Sequence, residues 1–375
     1  MFDAIIVVIT YFIVCSLSYK IIKFDYIKSK RMYNQCYNLP KLRMVSIIAI
    51  SSLFTFYNWF ITFIISHNIL GSDRTNYRVE FLGERSVGST GLQFIFNIVK
   101  KMGGDIYSVI YLSTFICIFL TLIAYRKCKK TTPRFILLLF MSEYIFFIFT
   151  TLKQAYAAVF ASLFFVNIID GSTKKNDFLS FIEMILSIMF HSSGMILIPL
   201  FFIMKIKSKN KDYFSILTLM TIIFVIFLPQ IMIIVNKVLG SFMPILSNKI
   251  EKYFILTNEL SDNQWYAVFK YLPFGYIPLW AFFNRRYYSK FYHKFDSLLI
   301  SSVIGGLIVM YSAYVYWFSR FRFSFIFPVY FMYDLIDNNT TYRSNKIINN
   351  MIVYGGTLIF TLRNVILIFI KYGAI

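Results

Sequence analysis

Apolar stretches long enough to cross a bilayer recur along almost the whole chain. A helix needs about 20 apolar residues to span the hydrocarbon core. Hydrophobic residues make up 58% of the 375 residues and charged residues only 15%, whereas a soluble globule carries about 25% charge. The sequence therefore predicts an all-α, polytopic integral membrane protein, organised as a single transmembrane domain over 1–375. It excludes a soluble enzyme and a disordered chain.

Hydropathy predicts about twelve transmembrane helices. Three of the stretches are short, and we expect each to share a kinked turn with its neighbour or to borrow flanking residues. The stretches are 4–22, 44–66, 105–125, 135–151, 154–170, 178–191, 193–205, 213–236, 265–283, 297–318, 323–336 and 347–370.

The net charge of +21 is better explained by cytoplasmic loops than by nucleic acid, because Lys and Arg are retained on the inner side of a membrane. Alternate loops hold 24 basic residues and the opposite set holds 12. The richer set is therefore predicted to be cytoplasmic, with both termini outside. The outer face then carries the two longest loops, 67–104 and 237–264. Within the first, 91–101 has helical spacing but is too short to span, which predicts a short interfacial helix.

Four residues of the first outer loop are candidates for binding sugar. Acidic, basic and aromatic side chains alternate there, and such a surface can stack on a sugar ring and hydrogen-bond its hydroxyls. The alternative is a polar loop that is simply solvated. The candidates are Asp73, Arg74, Tyr77 and Arg78.

Two further candidates lie at the predicted outer ends of spans. Lys153 follows an apolar run on the predicted outer side, where basic residues are disfavoured because Lys and Arg are enriched in cytoplasmic loops. It either reaches the interface as a helix-end lysine or binds a lipid-linked diphosphate. His191 closes an apolar helix. An imidazole titrates near neutral pH, so His191 could transfer a proton, although a hydrogen-bonded structural role is the alternative.

Arg320 and Arg322 lie among aromatic residues at a helix end, on the side where the charge rule disfavours them. Arginine at bilayer depth costs about 2.5–3.5 kcal/mol even on the lenient scale. A planar guanidinium matches phosphate oxygens in bidentate fashion. The pair therefore indicates an anionic ligand, with lipid headgroups as the alternative.

Four short motifs, in this order, resemble those of the EpsG-like group of Wzy-type polysaccharide polymerases. The resemblance departs from the family at Lys153, where Arg is usual, at Gly194, where Ala is usual, and at the start of 91–101, which lacks a Glu-Pro-Gly-like sequence. The motifs are Gly71-x-Asp73-x-x-x-Tyr77, Lys153-Gln154-Ala155-x-Ala157, Phe190-His191-x-Ser193, and Arg320 with Arg322.

The resemblance implies a glycosyltransferase of the cytoplasmic membrane that acts on its outer face. Such an enzyme joins repeat units carried on undecaprenyl diphosphate into O-antigen or capsular polysaccharide. Arg320, Arg322 and Lys153 would bind the diphosphate, and Asp73 or His191 would be the base. Tyr77, Arg74 and Arg78 would bind the acceptor sugar.

The expected partners are the lipid-linked donor and acceptor and membrane lipids, with a chain-length regulator protein as a candidate and no nucleic acid. Neither a metal nor a cofactor is expected. Three alternatives stay open on the sequence. They are a flippase for lipid-linked oligosaccharide, an O-antigen ligase, which would use a different acceptor, and a plain transporter or structural membrane protein.

Overall fold

The computed structural model describes residues 2–32, 42–64, 72–128, 131–170, 173–205, 264–292, 294–311, 321–341 and 345–358, together with positions 234 and 237. Regular structure in these residues is helical, with no strand among them, so the predicted all-α class is confirmed. The predicted span 213–236 and the outer loop 237–264 lie almost entirely outside the described residues. The chain divides into two compact units, Met1–Leu197 with Thr357–Ile375, and Ile198–Gly356.

The first unit contains nine α-helices and one short 3-10 helix among its described residues. They are α1 (Phe2–Met32), α2 (Met44–Ile64), α3 (Ser72–Leu82), α4 (Thr90–Lys101), α5 (Ile106–Lys127), α6 (Pro133–Met141), α7 (Glu143–Thr150), α8 (Leu152–Asp170), α9 (Lys174–Phe190) and the 3-10 helix Ser192–Ile196. The helix α10 (Leu197–Lys205) begins where this unit ends.

Four described helices are long and apolar enough to cross a membrane, and they identify a membrane-embedded protein. Two of them, α5 and α8, match the predicted spans 105–125 and 154–170 within two residues. The count of about twelve spans stays a prediction. The four candidates are Ile6–Ser29, Met44–Phe63, Ile106–Lys127 and Leu152–Ile169.

The predicted span 135–151 is interrupted. It consists of α6 and α7, which are separated at Ser142. Ser142 has an extended backbone, with ψ at 170°, and its hydroxyl accepts from the Tyr144 N–H at 3.2 Å. A serine that caps the following helix in this way ends the preceding one. The C-terminal end of α7 lies beside α3, where Arg74 donates to the Phe149 carbonyl oxygen.

The helix α8 is the centre of the first unit. It packs against α5, α7 and α9, and nearly all of its side chains from Ala155 to Ile169 are buried. Asn167 of α8 donates to both carboxylate oxygens of Glu183 of α9 at 2.7 Å. A buried carboxylate is costly unless it is hydrogen-bonded, so this contact fixes α9 along α8.

The segment predicted to be the first outer loop is mostly helical over its described residues, 72–104. The expected helix at 91–101 is α4, which begins one residue earlier, at Thr90, and has Ser89 as its N-cap. Its buried face packs on α9 and α5. The segment at 72–82 was expected to be a loop and is instead α3, whose buried residues recur at helical spacing: Arg74, Tyr77, Glu80 and Phe81. Phe81 meets Phe96 of α4 edge to face, with centroids 5.3 Å apart.

The second unit contains α10 from Ile198 onward, and beyond it is described over four helices and one further helical segment. Its helices pack on one another, and Arg285 pairs with Asp296 through two N–O contacts of 2.8 Å. The helices are α11 (Gln264–Phe283), α12 (Arg285–Tyr288), α13 (Phe295–Tyr311) and α14 (Arg322–Asn339), followed by 345–358.

The orientation in the membrane is testable by cysteine labelling of spheroplasts. We expect an impermeant maleimide to label cysteines placed at Asp73 and Asn258, and to spare those at Lys129 and Lys207, because the richer basic loops face the cytoplasm. Cys36 would be replaced by Ser, since the other native thiols are buried. Labelling of the cysteines at Lys129 and Lys207 alone would show that the orientation is the reverse of the predicted one.

Candidate functional site

Buried Arg74 links α3 to α2 and α7 through hydrogen bonds. The Arg74 Nε and Nη2 atoms donate to the carbonyl oxygen of Phe149, near the end of α7, at 3.2 and 2.9 Å. Its two terminal nitrogens also donate to Thr62 at 3.0 Å and Asn58 at 2.8 Å, both on α2. Burial lowers the pKa of Arg74 to about 10, so it stays charged at neutral pH. This placement favours an anchoring role over the sugar contact expected for Arg74.

Arg74→Ala should lower stability because the substitution leaves buried acceptors without donors. We expect a loss of roughly 3 kcal/mol, since hydrogen bonds from charged groups contribute about 1.5–3 kcal/mol and unsatisfied buried groups add to the cost. Thermal unfolding of the detergent-purified protein measures this loss. Arg78→Ala is the matched control, because Arg78 lies on the exposed face of the same helix. Equal melting temperatures for both variants would contradict the anchoring role.

Lys153 and Glu80 form a buried ion pair between α8 and α3. Lys153 lies in the first turn of α8, and its Nζ is 2.7 Å from Glu80 Oε1. The Lys153 side chain is 17% exposed and that of Glu80 only 7%. The ammonium also lies 5.7 Å from the centre of the Tyr77 ring. Two charges withdrawn from water in this way are stabilised only when they pair closely, so the contact fixes α3 on the start of α8.

His191 is held at the end of α9 in a defined protonation pattern. Its Nδ1 accepts from the Ser193 backbone N–H at 3.1 Å, and the Ser193 hydroxyl approaches the same atom at 2.8 Å. A backbone N–H can only donate, so Nδ1 carries a lone pair. The neutral ring therefore holds its proton on Nε2. That nitrogen lies 3.5 Å from the side-chain nitrogen of Gln154. A 180° turn of the amide places its oxygen there, where it can accept from Nε2–H.

Glycine permits the tight packing around His191. A Cβ at Gly91 would lie 2.9 Å from the Phe190 ring, and one at Gly194 would lie 2.6 Å from the α9 backbone. Phe190 in turn stacks on Tyr156 of α8, with centroids 4.3 Å apart. Gly194, which stands where the family usually has Ala, thus allows the 3-10 helix to approach α9 more closely than an alanine would.

The family model for the EpsG family matches residues 3–372. This chain belongs to the EpsG family. No curated protein and no solved structure matches it.

Three of the four EpsG-like motifs meet in the first unit. The α3 motif contacts the α8 motif where the Tyr77 ring lies 5.7 Å from the Lys153 ammonium. Glu80, three residues after Tyr77, forms the ion pair with the same lysine. The α8 motif contacts the His191 motif through Gln154. We call these residues, Tyr77, Glu80, Lys153, Gln154 and His191, the α3–α8–α9 cluster. Chain segments separated by 73 and 37 residues thus form one polar site at helix ends.

Other predicted site residues have different placements. Asp73 lies in the first turn of α3 and its side chain is outside the described atoms, while Arg78 is exposed. Arg320 lies outside the described residues. Arg322 is half-buried at the start of α14 in the second unit, with its guanidinium 4.6 Å from the Phe323 ring centre. The site roles of these residues stay predictions.

Sequence reasoning missed Glu80. The available signal was spacing: Asp73, Tyr77 and Glu80 are separated by four and three residues, which places them on one face of a helix. That signal has meaning only once 72–82 is assigned as helical. The described residues contain no group of three or more His, Cys, Asp or Glu that could hold a metal, and metal independence stays a prediction.

Proposed function

We propose that this EpsG-family protein is a polysaccharide polymerase that joins lipid-linked repeat units on the outer face of the cytoplasmic membrane. Its donor is an oligosaccharide on undecaprenyl diphosphate, and its acceptor is the sugar of a second lipid-linked unit. The product is O-antigen or capsular polysaccharide. Membership of the EpsG family supports a glycosyltransferase of this kind, and the apolar helices support a site that lipid-borne substrates can reach.

The observation that carries this proposal is the convergence of a cation, a carboxylate and an imidazole N–H in the α3–α8–α9 cluster. Transfer of a glycosyl group breaks the bond between the anomeric carbon and the diphosphate oxygen. The leaving diphosphate gains negative charge, which pre-positioned cations and N–H donors stabilise. Lys153 has two N–H groups beyond the one directed to Glu80, and His191 presents Nε2–H. Both suit a diphosphate.

The remaining roles follow the sequence predictions. Arg320 and Arg322 are proposed as further diphosphate contacts, because guanidinium groups bind phosphate oxygens in pairs. Asp73 and Arg78 are proposed to hold the acceptor sugar beside Tyr77. A lone pair on Nδ1 and a proton on Nε2 make His191 a donor rather than a base in its neutral form.

Deletion of the coding sequence tests the proposal in the strain from which the chain comes. We expect long surface polysaccharide to disappear while single lipid-linked repeat units remain on the outer side of the membrane. Gel analysis of surface glycan and mass spectrometry of extracted lipids measure both. Repeat units confined to the cytoplasmic side would indicate a flippase, and long chains left on undecaprenyl diphosphate would indicate a ligase.

A further inference from the structure

The Glu80 carboxylate is buried with only one of its two oxygens hydrogen-bonded. Oε1 accepts from Lys153, whereas Oε2 is buried and has no hydrogen-bond partner in the described part of the chain. Leaving a buried charged oxygen without a donor costs more than the 1–3 kcal/mol typical of neutral groups. The fold nevertheless holds this oxygen inside the cluster, on α3 beside the first turn of α8.

The ion pair keeps Glu80 able to accept a proton and a hydrogen bond. Lys153 Nζ lies 2.7 Å from Oε1 and forms an ion pair with it. The ionised form has lone pairs and no proton, so Oε2 can only accept. The pair also borders the surface, since Lys153 is 17% exposed and Gly88, which lies over its ammonium, is exposed. A hydroxyl group is therefore the chemical complement of Oε2.

His191, the other side chain of the cluster considered as a base, is already occupied. His191 Nδ1 is held by the Ser193 N–H, and Nε2 carries the ring proton. Proton removal from a sugar hydroxyl requires a lone pair within hydrogen-bond reach of that hydroxyl. In the α3–α8–α9 cluster, Glu80 Oε2 supplies it.

We propose that Glu80 is the catalytic base that takes the proton of the acceptor hydroxyl, an inference that rests on the proposed polymerase function. As the hydroxyl oxygen bonds to the anomeric carbon of the donor, its proton moves to Glu80 Oε2. The bond from that carbon to the diphosphate oxygen breaks, and its electron pair leaves with the diphosphate. The proton then passes from Glu80 to water, and the ion pair with Lys153 re-forms.

The test uses the purified full-length protein with undecaprenyl-diphosphate-linked repeat units extracted from the deletion strain. Glu80→Gln keeps the size of the side chain and its ability to accept from Lys153, and removes the base. We expect turnover to fall about 100-fold or more, the lower end of the contribution of general base catalysis, with donor binding retained. Glu84→Gln is the matched control, because Glu84 is exposed in the loop after α3, and it should keep wild-type turnover.

A second variant separates base catalysis from positioning. Glu80→Ala should be inactive, and added formate should restore part of its turnover, because a small carboxylate can enter the space of the missing side chain. Chloride at equal ionic strength should not restore it. Glu80→Gln with turnover within about threefold of wild type would overturn the proposal, as would loss of donor binding or the absence of formate rescue. Failure of the polymerase proposal can be distinguished from failure of the Glu80 proposal. If the protein is not a polymerase, wild type and Glu84→Gln would both be inactive, and the proposal for Glu80 would fail as well.

Discussion

Replacing Lys153 by Met should lower the rate of polymerisation about 100-fold or more, with a smaller effect on the abundance of the protein. Removal of one group that stabilises developing negative charge costs about 2.7–4 kcal/mol in other enzymes, or 100- to 1,000-fold in turnover. Lys153 is the cation that the described fold holds within the α3–α8–α9 cluster, 2.7 Å from Glu80 and beside Tyr77. The rate of chain growth with extracted lipid-linked units measures this effect.

Two substitutions control the experiment. Lys101→Met removes an exposed lysine at the end of α4 and should leave the rate unchanged. Lys153→Arg introduces the residue usual in the family and keeps the charge. Because a guanidinium can also donate to Glu80 Oε2, we expect it to retain only a fraction of wild-type activity. A normal rate in Lys153→Met, at normal abundance, would exclude Lys153 from the site.

Substitutions at His191 should separate a hydrogen-bond donor from a base. The Asn side chain can take the place of Nδ1 and accept from the Ser193 N–H, but it lacks a group at Nε2. We expect His191→Asn to lower turnover about 10- to 100-fold, because a hydrogen bond to a charged group contributes about 1.5–3 kcal/mol. The Gln side chain is longer and places an N–H near Nε2, so His191→Gln should retain more activity than His191→Asn.

A higher turnover in His191→Asn than in His191→Gln would contradict the donor role. If His191 were the base instead, neither amide could replace it, and the turnover of both variants would fall by 100-fold or more with donor binding intact. Ser192→Ala is a suitable control, because Ser192 adjoins His191 and is exposed. Binding of the extracted lipid-linked units, measured for all three variants, distinguishes loss of the diphosphate contact from loss of turnover.

The long apolar helices could be predicted because the local composition of a spanning helix is sufficient to identify it. The predicted bounds of α5 and α8 agree with the structure within two residues. The break at Ser142 could not be predicted in this way, because one serine barely changes the hydropathy of an apolar stretch. Its effect depends on a capping hydrogen bond to Tyr144, which hydropathy does not register. The helix α3 was missed because polar side chains outweigh its apolar ones.

The candidate site was partly predictable. Lys153 and His191 stood out as polar residues at the ends of apolar helices, and the structure brings both into the α3–α8–α9 cluster. Glu80 did not stand out, because its role depends on a contact with a residue 73 positions away. The burial of Arg74 was equally hidden, since it depends on the ends of two other helices. Long-range pairing of this kind leaves no mark in a local sequence pattern.

The departure at Lys153 has a physical account in the ion pair. An ammonium makes a single short contact with Glu80 Oε1 and can direct its remaining N–H groups elsewhere. A guanidinium at the same position would form a planar, two-pronged contact with a carboxylate. Lys153 therefore leaves Glu80 Oε2 without a hydrogen-bond donor among the described residues. The proposed role of Glu80 as a base depends on this free oxygen.

The central claim, polymerisation of lipid-linked repeat units by this chain, is tested most directly with the purified protein alone. The protein in detergent or nanodiscs is incubated with undecaprenyl-diphosphate-linked repeat units from the deletion strain, and the products are separated by gel electrophoresis. We expect a ladder of chains that differ by one repeat unit and the release of undecaprenyl diphosphate. Units that remain single, with no undecaprenyl diphosphate released by a correctly folded protein, would contradict the claim.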